Sequence, residues 1–217
     1  MPRVPREQLR AWTDSVGLAV SDDAWERLER LIGLWQQYGR SINLVGALER
    51  EALVEHVQEG LQCVACVEQV TPVDAGCCWV DVGSGGGLPG LVVAAVRPCP
   101  MILVEPRQRR AAFLDLGLAA VGMGPGRVIR ARWGVSTWNK KVVGKQELRD
   151  PTPFYILSSR AVFAPEHWLE EASQVKITRG IILCHVDSRV TRVAEKKPGA
   201  VTRGSRWGVM GFQVESG

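Results

Sequence analysis

The chain has 217 residues, of which 46% are hydrophobic and 23% are charged, and its formal net charge is +4. This composition is typical of a globular protein and excludes an intrinsically disordered chain. No stretch approaches the roughly eighteen apolar residues of a membrane-spanning helix, and the first residues lack the apolar core of a signal peptide. We therefore expect a cytoplasmic protein with no membrane partner.

Residues 1–75 have the pattern of a helical segment. Ser21 is predicted to cap a helix, because its hydroxyl can accept a backbone N–H of the first turn and two aspartates follow it. The apolar side chains of that helix recur at i, i+3, i+4 and i+7, which indicates one buried stripe on a helix that ends near Trp35. We predict that this segment forms an N-terminal helical extension, with a second domain over residues 76–217.

A glycine-rich turn follows a short apolar strand predicted over residues 78–82. Gly83, Gly85 and Gly87 lack side chains where the backbone must fold tightly and where a ligand can approach it. The turn leads into an apolar helix, predicted over 88–97, whose first N–H groups are available to a ligand. This arrangement predicts a phosphate- or nucleoside-binding turn.

Glu105 ends a second apolar strand, predicted over 101–105, at the distance from the turn that is typical of an acid binding two ribose hydroxyls. The turn and this acid together predict a nucleoside-containing cofactor. If the glycine turn had a structural role alone, the position of Glu105 would be a coincidence.

Two readings of the glycines remain open. The dinucleotide pattern Gly-x-Gly-x-x-Gly begins at Gly85, and the looser pattern of S-adenosylmethionine (SAM) sites begins at Gly83. The dinucleotide reading would place Pro89 within the segment that binds the pyrophosphate, whereas Pro suits the first turn of a helix. The spacing favours SAM over a nicotinamide or flavin.

Beyond residue 76 the pattern alternates strands with helices, which predicts an α/β fold with a doubly wound parallel sheet. The further predicted elements are 107–121, 127–131, 154–159, 165–174, 180–186 and a strand-like run at 207–214. Residues 133–153 form a long polar insertion that contains Lys140, Lys141 and Lys145.

The segment Asp81-Val-Gly-Ser-Gly-Gly-Gly-Leu-Pro-Gly90 resembles the signature of the RsmG (GidB) family. These are bacterial SAM-dependent methyltransferases that modify N7 of a guanine in small-subunit (16S) ribosomal RNA. Three further segments match the family and occur in its order along the chain: Ile42-Asn43-Leu44 before this signature, then Leu103 to Leu114 and Ser159-Arg160-Ala161-Val162 after it. The resemblance covers about residues 25–186. It implies a Rossmann-like class I SAM-dependent methyltransferase sheet, SAM as cofactor, and ribosomal RNA or the 30S subunit as partner.

The resemblance also implies site residues. Cofactor contacts would come from the turn and from three strand ends: Gly83, Gly85, Gly87, Leu88, Glu105, Trp133, Gly134 and Arg160. Glu105 would accept the ribose hydroxyls, and Trp133 could cover the adenine face. Arg160 is the expected catalytic residue, because its planar guanidinium group can donate two hydrogen bonds to guanine O6 or to a phosphate. The alternative for Arg160 is a salt bridge to Asp81 or Glu105.

The sequence departs from the family pattern at three places, and two of them, Gly134 and Val186, keep open a member that binds SAM or RNA without turnover. The run His56-Val-Gln-Glu59-Gly60 replaces His-x-x-Asp-Ser, and Gly134 stands where the family has an acidic residue. Val186 stands where the family has Lys. His56 has two open interpretations, a residue that approaches the pocket or one that packs or caps.

The distribution of charge along the chain indicates the kind of partner. Residues 1–75 have seven Lys or Arg against twelve Asp or Glu, and the remainder has twenty against eleven, so the second part is basic and suited to RNA. A methyltransferase of small molecules or proteins remains the alternative.

The six cysteines lack the spacing of a zinc site, so we expect buried thiols and no metal. Nothing in the sequence predicts an oligomer, and a monomer is the default.

Overall fold

The computed structural model describes residues 6–42, 49–134, 136, 138, 153–175, 177–194, 196–203 and 207–215. Three helices come first: α1 (Arg6–Ser15), α2 (Asp22–Ile42) and α3 (Arg50–Glu68). The elements that follow are β1 (Cys77–Val82), α4 (Gly90–Val96), β2 (Met101–Val104), α5 (Gln108–Val121), β3 (Gly126–Ile129), β4 (Phe154–Ser159), α6 (Pro165–Ser173), β5 (Arg179–Asp187), β6 (Ala200–Arg203) and β7 (Trp207–Glu215). Among the described helices, none is long and apolar enough to cross a membrane.

The strands form one sheet in the order β3-β2-β1-β4-β5-β7-β6. Strands β1 to β5 pair in parallel, whereas β7 runs antiparallel to both β5 and β6. The chain leaves β1 toward β2 on one side and later returns to β4 on the other. Ligands of doubly wound sheets bind at such a reversal, beside the carboxyl ends of the strands. The predicted α/β fold with a mostly parallel sheet is confirmed.

The helical segment has the predicted cap but a different end. The Ser21 hydroxyl accepts the N–H of Ala24 at 3.2 Å, so α2 begins where the sequence indicates. The prediction that this helix ends near Trp35 was wrong, because α2 continues to Ile42. Its last turns are supported by Tyr38, whose ring packs edge-on against Phe113 of α5 at 6.2 Å.

Strand β6 was not predicted from the sequence. It is four residues long, follows a proline and a glycine, and pairs with β7 at the edge of the sheet. The strand expected over 127–131 is shifted to Gly126–Ile129. Asn43 and Leu44, together with Lys140, Lys141 and Lys145, lie outside the described residues.

Hydrophobic side chains from both halves of the chain form a common core. Leu31 and Leu61 of the helical segment belong to the same buried cluster as Val92 of α4 and Leu114 of α5. A second cluster on the other face of the sheet includes Trp168 of α6. Each face of the sheet is thus covered by helices, as a parallel sheet requires. The division into an extension over 1–75 and a methyltransferase domain over 76–217 remains a prediction.

Helix α3 approaches α4 closely at Gly60. A Cβ atom built on Gly60 would lie 2.5 Å from the Cβ of Val92, whereas one built on Gly33 of α2 would meet nothing within 4 Å. The absent side chain of Gly60 therefore sets the distance between α3 and the helix that follows the glycine turn.

We expect the substitutions Gly60→Ala and Gly33→Ala to change stability in opposite directions. Alanine is better than glycine inside a helix, so Gly33→Ala should raise the free energy of unfolding by about 0.5–1 kcal/mol. At Gly60 the same gain is outweighed by overpacking against Val92, and we expect a loss of about 1–3 kcal/mol. Urea unfolding of both variants measures the difference, and equal effects would contradict the close approach of α3 and α4.

Candidate functional site

The register of the sheet brings three of the sequence-predicted residues to one edge. Val82 at the end of β1 is aligned with Val104 of β2 and with Ser159 of β4. The next residues along the chain are Gly83, Glu105 and Arg160. The candidate site therefore lies at the carboxyl ends of neighbouring parallel strands, at the place where the chain reverses its direction across the sheet.

The glycine turn after β1 has a left-handed backbone at three positions. The φ angles are +70° at Gly83, +54° at Gly85 and +88° at Gly87. Other residues rarely adopt this conformation, because their Cβ atoms clash with the backbone. A Cβ on Gly85 would lie 3.6 Å from Nη1 of Arg110, an ordinary van der Waals distance, so the left-handed backbone and not a steric clash with a neighbouring residue favours glycine there.

The Glu105 carboxylate supports this turn from the end of β2. Its Oε2 accepts the N–H of Gly85 at 3.0 Å, and its Oε1 accepts the N–H of Arg107 at 2.9 Å. The side chain is only 3% exposed. Each carboxylate oxygen can accept more than one hydrogen bond, so Glu105 can hold the turn and still accept a hydroxyl from a ligand.

Asp81 lies within β1 and is fully buried beneath the turn. Its carboxylate accepts the Ser158 hydroxyl at 2.9 Å and the Gly90 N–H at 3.3 Å. Trp79 in turn donates its indole N–H to the Ser158 oxygen. Burial raises the pKa of Asp81 to about 7, although these hydrogen bonds and the charge of Arg160 act in the opposite direction.

The N-terminal segment also holds the turn, through a residue that the sequence analysis assigned only to packing. Trp35 of α2 is fully buried and donates its indole N–H to the carbonyl of Gly86 at 2.7 Å. Its position in an apolar stripe indicates a buried face but carries no signal for a polar partner. Leu88 is buried in the same hydrophobic cluster as Trp35 and donates its backbone N–H to Ser84 at 3.3 Å.

The two predicted adenine-side residues follow β3. Trp133 is half-buried, and its ring packs edge-on against Trp138 at 6.0 Å and Trp168 at 5.8 Å. A Cβ atom on Gly134 would meet nothing within 4 Å among the described residues. Trp133 is thus held in an aromatic cluster, whereas none of the described residues would contact an alanine side chain at Gly134.

Arg160 forms an ion pair with a residue that the sequence analysis had not considered as its partner. Its Nη2 lies 2.6 Å from Oε2 of Glu59 on α3. Asp81 and Glu105, the two partners expected from the sequence, accept the hydrogen bonds described above instead. The predicted salt bridge of Arg160 is therefore present, but its predicted partners were wrong, because α3 brings Glu59 to the same edge of the sheet.

His56 lies one helical turn before Glu59 and close to the same ion pair. Its Nδ1 is 4.0 Å from Oε2 of Glu59, and its ring packs edge-on against Trp35 at 6.4 Å. Burial, and secondly the charge of Arg160, lowers the pKa of His56 to about 4. The imidazole is therefore neutral at pH 7. Both interpretations of His56 have support, because it packs against Trp35 and also lies beside Arg160.

The six cysteines are all buried and none is in a disulfide, as expected for thiols that pack as small apolar side chains. Burial raises the pKa of Cys66, Cys99 and Cys184 to about 12, so these thiols stay protonated at pH 7. In the described part of the chain, His, Cys, Asp and Glu form no group that could hold a metal ion.

The sheet order and the glycine turn beside Glu105 define the Rossmann-like fold of the class I SAM-dependent methyltransferases. Residues 24–185 match the sequence model of the GidB family, described as rRNA small subunit methyltransferase G. The chain therefore belongs to this family.

Individual relatives agree with this assignment. The ribosomal RNA small subunit methyltransferase G of Neisseria meningitidis serogroup C is 31% identical over 129 residues, which are 58% of this chain and 59% of that protein. The protein of the same name from Gluconobacter oxydans is 32% identical over 154 residues, 70% of this chain and 69% of that protein. A solved structure of MtNAS in complex with MTA and tNA has a TM-score of 0.51 at 14% identity, over 97% of this chain and 82% of that one, which supports the fold alone.

We expect Asp81→Asn to change how stability depends on pH. The native pKa of about 7 lies above the value of about 3.9 in an unfolded chain. Between these values the native state keeps a proton that the unfolded state has lost, so the Asp81 contribution to the free energy of unfolding falls by up to about 1.4 kcal/mol per pH unit as pH rises.

Urea unfolding at several pH values between 4 and 7 tests this expectation. In the Asp81→Asn variant the free energy of unfolding should fall less between these pH values than it does in the wild type. Asp115→Asn, at an exposed position of α5, should show the same pH dependence as the wild type. Parallel curves for the wild type and Asp81→Asn would contradict a raised pKa for Asp81.

Proposed function

We propose that the protein transfers a methyl group from SAM to N7 of a guanine in small-subunit ribosomal RNA. The observation that carries the proposal is the buried Glu105 carboxylate, which accepts a hydrogen bond from the left-handed glycine turn at the carboxyl edge of the sheet. The chain that holds this carboxylate belongs to the rRNA small subunit methyltransferase G family. A carboxylate at the end of the second strand is suited to bind ribose hydroxyls.

The residues at this edge fit the cofactor. The glycine turn has a left-handed backbone that a ligand can approach closely, and Glu105 keeps unused acceptor capacity. In our assignment Gly83, Gly85, Gly87 and Leu88 hold the methionine and ribose side, and Glu105 accepts the ribose hydroxyls. Bound SAM supplies an electrophilic methyl group on a sulfonium.

Trp133 and Gly134 are assigned to the adenine side. The edge-on contacts of Trp133 with Trp138 and Trp168 fix the ring at the end of β3, where an aromatic face could cover a base. No residue that the structure describes lies within 4 Å of a Cβ built on Gly134, so none of these residues would block a purine at that position.

The groups around Arg160 suit an acceptor atom that has no proton to remove. Guanine N7 carries a lone pair and no proton, so methyl transfer to this atom requires no general base and depends on orientation. His56 and His185, whose pKa values are lowered to about 4 and about 3, are neutral at pH 7. Arg160, 27% exposed at the end of β4, is assigned to hold guanine O6 or a phosphate.

The RNA partner is supported by charge. Exposed basic side chains follow β5 along the chain: Arg189, Arg192, Lys196, Lys197 and Arg203. Such a surface attracts nucleic acid through release of counterions, so binding should weaken as salt rises. The 30S subunit and free ribosomal RNA are both candidate substrates, and a cytoplasmic location is part of the proposal.

Binding of SAM or RNA without turnover is the second candidate, and Gly134 is the observation that favours it. The position lacks the acidic residue that the family pattern has there, and in the described part of the chain nothing lies within 4 Å of a Cβ built on it. A weaker adenine contact would reduce turnover before it affected the fold.

Transfer of labelled methyl from SAM tests the proposal. The substrates are 30S subunits and free 16S RNA that lack N7 modification, and the product is mapped by strand scission at N7-methylguanine. We expect label at a single guanine. Binding of SAM without transfer of label would contradict the methyltransferase activity and favour the second candidate, and absence of binding to both SAM and RNA would contradict both candidates.

We expect Glu105→Ala to weaken SAM binding by about 1–3 kcal/mol, because charge-assisted hydrogen bonds to the ribose are lost. Isothermal titration calorimetry measures the change. Asp115→Ala, at an exposed position of α5, is the matched control and should bind SAM as the wild type does. An unchanged dissociation constant for Glu105→Ala would refute the assignment of Glu105 to the ribose.

A further inference from the structure

The ion pair between Glu59 and Arg160 joins the N-terminal segment to the reacting edge of the sheet. Arg160 directly follows β4, and its Nη2 lies 2.6 Å from Oε2 of Glu59 on α3. Glu59 is only 9% exposed and Arg160 27%, so the pair is largely shielded from water. An Arg side chain has several rotatable bonds, and a partner at this distance restricts where its charged group lies.

The packing of α3 leaves Glu59 little freedom. The neighbouring Gly60 brings the helix backbone against Val92 of α4, where any side chain at Gly60 would clash. Val57 and Leu61, on either side in sequence, are fully buried in the core. The carboxylate of Glu59 is therefore presented to Arg160 from a rigid helix.

The surrounding titratable groups favour this pairing. His56 and His185 approach the pair from α3 and β5, and burial together with the charge of Arg160 keeps both imidazoles neutral at pH 7. Neither histidine thus supplies a positive charge that would compete for Glu59. Asp81, the nearby acid from β1, is bound to Ser158 and Gly90.

We propose that Glu59 is a positioning residue, which holds the Arg160 guanidinium at the end of β4 in the orientation needed for substrate. This inference rests on the proposed function, because it takes Arg160 to contact the substrate guanine or a phosphate. The helical segment then contributes directly to the geometry of the site, in addition to covering one face of the sheet.

The test compares Glu59→Gln with Glu59→Asp and with Glu55→Gln, an exposed residue one turn earlier on the same helix. We expect Glu59→Gln to lower kcat by roughly 10- to 100-fold, since small displacements of an orienting group have effects of this size. The dissociation constant of SAM should stay unchanged. Glu59→Asp keeps the charge and should recover part of the rate, and Glu55→Gln should match the wild type.

A double-mutant cycle with Arg160→Lys separates positioning from a structural role. If Glu59 acts through Arg160, Glu59→Gln should change kcat little in the Arg160→Lys background. An equal loss of rate in both backgrounds would overturn the proposal, as would an unchanged kcat for Glu59→Gln. Thermal unfolding of each variant identifies any loss of rate that follows from unfolding.

NMR of the Arg160 guanidinium gives a readout that does not depend on methyl transfer. In the wild type we expect the neighbouring carboxylate to shift the Arg160 side-chain signals, and we expect this shift to be lost in Glu59→Gln. If the wild type transfers no methyl group to ribosomal RNA, the proposed function fails, whereas the NMR comparison still tests whether Glu59 holds Arg160. Identical Arg160 signals in the wild type and in Glu59→Gln would overturn the inference.

Discussion

The glycine turn between β1 and α4 is the feature on which the candidate site depends, and its backbone is held by side chains from separate elements. Glu105 accepts the N–H of Gly85, and Trp35 donates to the carbonyl of Gly86. Glycine loses more conformational freedom on folding than any other residue, so a turn with this composition is costly to order. These hydrogen bonds offset part of that cost.

The N-terminal helices form part of the site in addition to covering the sheet. Trp35 reaches the glycine turn from α2, and Glu59 reaches Arg160 from α3. The close approach of Gly60 to Val92 links α3 to α4, the helix that begins at the end of the turn. Because buried contacts of this kind have little room to adjust, a change in the packing of these helices would also move groups at the carboxyl edge of the sheet.

Near pH 7 the two imidazoles at this edge are neutral, whereas the buried Asp81 carboxyl lies close to its pKa. The charge of Arg160 lies beside the Glu59 carboxylate, and it contributes to the lowered pKa values of His56 and His185. Asp81, with a pKa of about 7, is enclosed beneath the turn and bound to Ser158 and Gly90. Such surroundings suit the proposed transfer to guanine N7, an atom that has no proton to lose.

The sequence by itself determined the features that depend on residues close together along the chain. The glycine spacing predicted the turn, alternating apolar runs predicted most of the parallel sheet, and Ser21 predicted the start of α2. Short or edge elements such as β6 carry too few residues for a pattern. Helix α2 extends beyond its predicted end, and Tyr38 in the added turns packs on Phe113 of α5. Only the tertiary structure decided that Glu59 pairs with Arg160 and that Trp35 binds the turn. A helical stripe identifies a buried face, but packing in three dimensions determines which atoms that face meets.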